Sequence, residues 1–397
     1  MGRSTRLHSI ADCVWKLCFA VCLLIPLSDV AAQQNSPSKK KKSAATKQGK
    51  KKYLKIVGEG PISLDITVRV EHKKKVYYGR PFGQDLEKLA MLRWDGRITV
   101  LPRQDKLEIF SKGFAPYTGK ELESRLLKEF GKQYLTQSSK HFTVVYPRTK
   151  PKNWAQRYET VYRQFKNYLA RHKIDLKEPQ FPMIVVVLGS RKEFERSLSN
   201  EIIFKRNIFG FYSRNTNRVT TYVSSDPRIA RQIDQLSDVT IIHEAIHQVA
   251  FNTNVHNRLC TVPRWMSEGF AMLFESRGFR NNKVDQPMTD RINKRRLATL
   301  KQMFRSGRAR GNLETLIRND RIFETNADLA YSLAWGLSFY LAEKETDKYL
   351  NFVKKDGNKN EFRQYTPDER ITFFVETFAT DFDKLEKRLR KFILALP

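Results

Sequence analysis

Apolar and polar residues alternate through ISLDITVRVE (62–71), the period-two pattern of a strand with one buried face. KVYY (75–78), RITVLP (97–102) and KLEIF (106–110) are further short strands, and Asp95 and Gly96 form a hairpin signal between KVYY and RITVLP. Residues 53–115 thus read as a small β-rich domain. Beyond it the period changes. Thr118 stands three residues before Glu121, as in a capping box, and ELESRLLKEF has helical apolar spacing. HFTVVY (141–146) reads as a strand and 152–172 as an aromatic-rich amphipathic helix. PMIVVVL (182–188) is an unbroken apolar run of the kind found in a strand buried on both faces. A helix over 191–198 and two short strands around an Asn-rich turn in 210–223 follow. After Ser237 the pattern is helical. Strands first and helices second predict an α+β fold.

The two ends differ from this body. Arg3 and Arg6 precede a short apolar run from Leu17 to Leu27, and Val30, Ala31 and Ala32 supply small residues at a cleavage point. Residues 1–32 therefore read as a signal peptide, with the mature chain starting near Gln33 in the periplasm, the cell envelope or the medium. The apolar run is shorter than the about 20 residues of a spanning helix, so no transmembrane segment is expected after processing. Residues 33–52 are rich in Lys, Ser and Gln without periodicity, and read as a disordered linker. At the other end, 346–397 carries FRQYTPDERITFFVETF and DFDKLEKRLRKFILAL, two helices expected to pack on the preceding domain.

Charge and cysteines narrow the function classes. The 397 residues hold 73 Lys and Arg against 42 Asp and Glu, a net charge of +31. Such a charge attracts polyanions, and the Lys-rich linker is a candidate tether to anionic cell-envelope polymers. Beyond that linker the basic residues are scattered and match no nucleic-acid-binding pattern, so no nucleic acid is expected as partner. Cys13, Cys18 and Cys22 lie in the leader, which leaves Cys260 alone and excludes both an internal disulfide and a cysteine-based zinc finger in the mature chain.

The chemistry concentrates in SDVTIIHEAIHQVAF (237–251). His243 and His247 are four apart, so on a helix they share a face and can hold one Zn²⁺. Glu244, beside the first, is placed to accept a proton rather than to bind the metal. Ser237 or Asp238 is the expected N-cap, and Val239, Ile242, Ile246 and Val249 are the expected buried stripe. In PRWMSEGFAMLFE (263–275), Pro263 suits a first helical turn and Glu268 is positioned to complete a three-ligand site with an open position. Gly269 and Ala271 are small enough to let this helix approach the first. Glu275, on the same face as Glu268, is a candidate to orient a ligand histidine. His256 is a stray alternative for the third ligand.

HEAIH followed by WMSEGFA resembles the gluzincins, zinc peptidases with an HExxH helix and a downstream glutamate ligand, and the second motif is close to the W-x-x-E-G-x-A pattern of the M1-type aminopeptidase clan. The arrangement also resembles exported bacterial proteins of that clan whose function is not established. The likeness spans about 134–345. It implies a zincin-like catalytic domain over 116–345, with a mixed sheet, the HExxH helix and a helical C-terminal lobe. It implies one zinc per chain on His243, His247 and Glu268, Glu244 as general base, and hydrolysis of peptides or proteins. Tyr331, in AYSLAWGLSFYL, falls where gluzincins often carry a tyrosine for the oxyanion, and the strand from Val219 to Val223 falls where an edge strand holds the substrate. The alternative is a catalytically silent zincin fold that binds or scaffolds.

Overall fold

The computed structural model describes residues 52–56, 58–198, 208–223, 227–281, 286–359 and 364–397, the side chains of 227–238 excepted. The leader at 1–32 and, but for Lys52, the basic segment 33–52 lie outside these residues. The fold is mixed α+β, β-rich at the N-terminal side and helical at the C-terminal side.

Seven strands come first: β1 (Tyr53–Lys55), β2 (Gly60–Pro61), β3 (Ile66–His72), β4 (Lys75–Gln84), β5 (Lys88–Leu92), β6 (Ile98–Pro102) and β7 (Lys106–Lys112). They pair antiparallel in the order β1-β7-β3-β4-β5-β6, with β2 on β4. The Asp95–Gly96 hairpin forms, with Gly96 left-handed at φ 81° and its N–H donating to the Arg93 carbonyl at 2.9 Å. Its first strand is β5, KLAML, and not KVYY, which opens the longer β4. Four of the five β5 residues are buried, so no alternation marks it in the sequence.

Next come α1 (Gly119–Phe130), β8 (Tyr134–Ser138), β9 (Phe142–Pro147), α2 (Trp154–Arg171), β10 (Met183–Leu188), α3 (Arg191–Leu198), β11 (Gly210–Ser213) and β12 (Arg218–Tyr222). The Thr118–Glu121 capping box opens α1 as expected. The second sheet runs β11-β12-β10-β9-β8, with β9, β10 and β12 parallel and β8 and β11 antiparallel at its two sides. All six residues of β10 are buried, which accounts for its unbroken apolar run. The strand expected at the edge, Val219 to Val223, is β12 and lies inside the sheet. The turn at 214–217, with Asn217 left-handed at φ 58°, folds β11 back outside it, so β11 is the edge among the described residues.

The rest is helical: α4 (Pro227–Asn252), α5 (Arg264–Leu273), α6 (Arg277–Arg280), α7 (Met288–Arg291), α8 (Lys294–Arg305), α9 (Asn312–Arg318), α10 (Ile322–Thr325), α11 (Ala327–Lys344), α12 (Thr346–Asp356), α13 (Pro367–Phe378) and α14 (Phe382–Ala395). α11 is buried on every side from Leu329 to Ala342 and packs against α5, α8 and α14. The C-terminal α14 seats Leu385, Leu389 and Ile393 in this core, as its amphipathic pattern requires. The helix expected over FRQYTPDERITFFVETF begins only at Pro367, where Thr366 and Glu369 form a capping box. Among the described residues no helix is long and apolar enough to cross a membrane.

Candidate metal centre

α4 carries three of the singled-out side chains. It begins at Pro227, well before Ser237, so neither Ser237 nor Asp238 caps it. The segment RIARQIDQL ahead of Ser237 contains no breaker, and proline at a first helical position loses no hydrogen bond. The expected buried stripe also differs. Val239 is 37% exposed and Ile242 only partly buried, whereas Ile241, Ala245, Ile246 and Val249 are buried. α4 touches the second sheet, α2 and α5, and so has no single inward face beyond Val239. Gln248 fixes it to the sheet, donating from Nε2 to the carbonyls of Ile184 (3.0 Å) and Asn217 (2.8 Å).

His243 and His247 project toward α5, where Glu268 is fully buried. Their Nε2 atoms lie 3.0 Å apart, and the Glu268 Oε2 is 3.1 Å from the first and 3.8 Å from the second. Four tetrahedral ligands at zinc bond lengths are separated by about 3.3 Å, which these three distances bracket. On its far side His243 Nδ1 meets Glu275 Oε1 at 2.8 Å. A carboxylate partner makes that nitrogen the N–H, so in the neutral ring Nε2 presents its lone pair to Glu268 and His247. Two imidazole nitrogens and a carboxylate converging in a buried space favour a shared cation, metal ion or proton: burial acts to lower the His243 pKa, but Glu268 and Glu275 together raise it to about 10. Burial likewise acts to raise the Glu268 pKa, and the two imidazoles hold it far below the usual range instead. The described residues therefore bring together a buried group, His243, His247 and Glu268, that can hold a metal ion.

Glu275 orients His243 as expected, and it is itself held, since Asn293 Nδ2 donates to its Oε2 at 2.6 Å. Asn293 also caps α8 by accepting from the Arg296 N–H. The cap was visible in the sequence pattern of Asn before KRRLATLKQMF; the reach to Glu275 was not, because it depends on how α8 packs.

Glu244 is 1% exposed, and its Oε1 has no hydrogen-bond partner. Burial pushes its pKa up to about 8, with Glu268 and Glu275 adding to the rise while His243 and the Tyr212 N–H oppose it. Edge strand β11 lies directly against it: a Cβ added at Gly210 would come within 3.3 Å of Glu244 Cγ and 2.9 Å of Thr240 Cγ2. Glycine at 210 is what lets the strand approach this face of α4.

Tyr331 on α11 is 1% exposed and accepts a hydrogen bond from Arg264 Nη2 at 3.0 Å. Burial raises its pKa, Glu268 raises it further, and Arg264 acts against both. Tyr331 thus lies within the electrostatic reach of the Glu268 carboxylate, among α5, α8 and α11. Gly269 does not serve the approach of α5 to α4 as expected. Its missing Cβ would come within 2.1 Å of Ser338 Oγ and 2.5 Å of the Ala334 carbonyl, so it admits α11 instead. His256 does not join the ligand group. It is packed against Phe251 and Phe270 with both ring nitrogens unpartnered, and burial pushes its pKa down to about 3.

Residues 237–363 match the model of a family described as a protein of unknown function, DUF1570. The matched segment contains His243, Glu244, His247, Glu268, Glu275 and Tyr331. No curated protein compared with the chain matches it.

Proposed function

We propose that the protein is an exported, zinc-dependent peptidase of the gluzincin type. The observation that carries this reading is the convergence of His243, His247 and Glu268 at tetrahedral-edge distances, with the His243 tautomer set by Glu275. Nitrogen and carboxylate donors in a closed buried site, two from one helix and one from the next, suit zinc. The chemistry a zinc ion supplies at such a site is acidification of a water and polarisation of a carbonyl.

The chain's own residues then have separate tasks. Glu244 takes a proton from the attacking water at its unpartnered Oε1 and delivers it to the leaving nitrogen. Its raised pKa in the metal-free protein falls once a dication sits beside it, leaving the ionised base near neutrality. Glu275 and Asn293 hold the His243 ring. The hydroxyl of Tyr331, backed by Arg264, is the candidate for stabilising the oxyanion. β11, the edge strand against Glu244, is the candidate to hold an extended peptide. The leader-like segment supports a site of action outside the cytoplasm, and the Lys-rich stretch is a candidate tether to anionic polymers there. A silent scaffold has no use for a buried carboxylate with a partnerless oxygen, which burial makes costly.

The test has two parts. After dialysis against metal-free buffer, elemental analysis of the purified protein is expected to give about one zinc per chain. Profiling on a peptide library is then expected to show cleavage that Glu244→Gln abolishes while retaining the zinc. Full hydrolysis by Glu244→Gln, or a folded protein that refuses added zinc, overturns the reading.

A further inference from the structure

Several part-buried arginines among the described residues have carboxylate partners. Arg291 makes two bonds of 2.6 Å to Glu343, Arg370 two to Asp320, and Arg218 two to Glu129. The part-buried Arg258 lacks a carboxylate but donates to the backbone carbonyls of Arg214, Gly96 and Asn215. Arg264 and Arg296 behave differently. Each is only 5% exposed, and neither has a carboxylate within ion-pair distance among the described residues. Arg264 gives a single side-chain hydrogen bond, to Tyr331, and the Arg296 guanidinium gives none.

The two groups flank one ring. Their guanidinium carbons lie 5.7 Å (Arg264) and 5.2 Å (Arg296) from the Tyr331 centroid, and Arg264 is also 4.7 Å from that of Phe323. Such contacts ease a buried cation without neutralising it. Both Nε atoms are sealed without a partner; the other partnerless nitrogens, both Nη of Arg296 and one of Arg264, are not sealed. Buried arginine is rarely left unpaired. Here two stand together beside the metal-ligand group, one turn before Glu268 on α5 and one turn after Asn293 on α8. Carboxylates act on the two only at a distance, Glu268 and Asp320 on Arg264 and Glu275 and Asp328 on Arg296, and none of them forms an ion pair with either guanidinium.

The geometry points to Arg264 and Arg296 as a binding pocket for the substrate's terminal carboxylate, so that the enzyme removes the last residue of a peptide. This rests on the peptidase reading above. Arg264 and Glu268 are four residues apart on α5 and so share a face of that helix, which places the guanidinium on the same side as the ligand carboxylate, where the end of a short peptide product segment can reach it. In the step itself, the oxygen of water bonds to the carbonyl carbon, the C–N bond breaks, and the last amino acid leaves with its nitrogen protonated through Glu244.

The experiment uses the zinc-loaded full chain and three N-acylated peptides: one with a free C-terminus, the same peptide amidated, and an amidated peptide ending in Asp. Turnover is followed by product mass, and binding is measured separately by calorimetry on Glu244→Gln. The free acid is expected to bind about 10- to 100-fold tighter than its amide, the range for charged hydrogen bonds, and to be the one cleaved. Arg296→Gln and Arg264→Gln are expected to collapse that preference to a few-fold, with partial recovery in Arg296→Lys. Equal binding of acid and amide removes the pocket, and this comparison needs no variant in the arginines. If the amidated Asp peptide binds as well as the free acid, the terminal assignment falls. Cleavage of acid and amide alike keeps the peptidase reading and loses the pocket; an inert enzyme that still prefers the free acid does the reverse.

Discussion

The N-terminal sheet and the helical half treat polar residues in opposite ways. In the sheet, buried positions are mostly apolar, Val68, Val70, Leu89, Met91, Leu101 and Leu107 forming one small cluster, and the buried polar side chains of Thr67 and Gln84 are neutral and donate to the Gly113 and Gly58 carbonyls. Its charges stay at the surface in local pairs, Arg69 with Glu71 and Glu108, and Arg103 with Asp105. The helical half encloses His243, Glu244, His247, Glu268, Arg264 and Arg296 within one continuous apolar core. Burial of a charge opposes folding unless it is paired. In the sheet, charge follows exposure, as stability alone demands. Around α4 and α5 it does not, and that departure is what the proposed metal site accounts for. The contrast can be broken, or sharpened, by substitutions on both sides.

The largest effect is expected at Glu268. Glu268→Gln removes the anionic ligand while keeping its volume, and zinc retained after dialysis should fall from about one per chain to near none. Full retention by elemental analysis would remove Glu268 from the ligand set, and with it the main reason to regard this buried charge as functional. Next comes Glu275→Gln, which keeps the shape but weakens the hold on His243. Outer partners of metal-ligating histidines typically account for about 10- to 100-fold in affinity. Competition with a chelator reads that factor, and an unchanged affinity would leave the 2.8 Å contact without a role in metal binding.

The candidate metal-binding group was legible in the sequence because the requirement is local. Histidines four apart must share a helical face, and Glu275 lies two helical turns after Glu268, so it shares that residue's side of the segment. The hairpin at Gly96 and the Thr118–Glu121 cap were legible for the same reason. What escaped depends on how distant elements meet. KLAML shows no alternation because neighbours cover both its faces. Ser237 and Asp238 have the chemistry of a cap, yet nothing before them breaks the helix until Pro227. Arg264 and Arg296 are two of 73 basic residues, and only the packing of α5, α8 and α11 places both on Tyr331.

A smaller effect, and one that depends on pH, is expected at Glu244 in the metal-free protein. Its pKa stands at about 8 instead of an ordinary 4.5, so the folded state binds this proton more tightly than the unfolded chain does. Stability is therefore lost as pH rises from 4.5 through about 8. Glu244→Gln has no proton to lose there. Thermal unfolding should find the variant more stable than the parent at pH 8.5, with the gap closing by pH 5. His243, raised to about 10, is common to both proteins and loses its own contribution at higher pH. A gap that is constant with pH would mean that Glu244 is not held out of water as its 1% exposure indicates.

The smallest effect belongs to the sheet, and it is what gives the others their meaning. Arg69 bonds Glu108 at 3.1 Å and Glu71 at 3.0 Å, with a quarter of its side chain exposed. Pairs of this kind contribute about 0–1 kcal/mol, because water screens them and the long side chains lose freedom in making them. Arg69→Met should shift the urea midpoint by no more than that and leave zinc content untouched. A larger loss would show that the sheet, too, depends on specific charges, and buried polarity around α4 would then no longer single out a site. A negligible loss leaves the helical half as the region where charge is placed against the demands of folding, which is what a metal, a base and an anion pocket require.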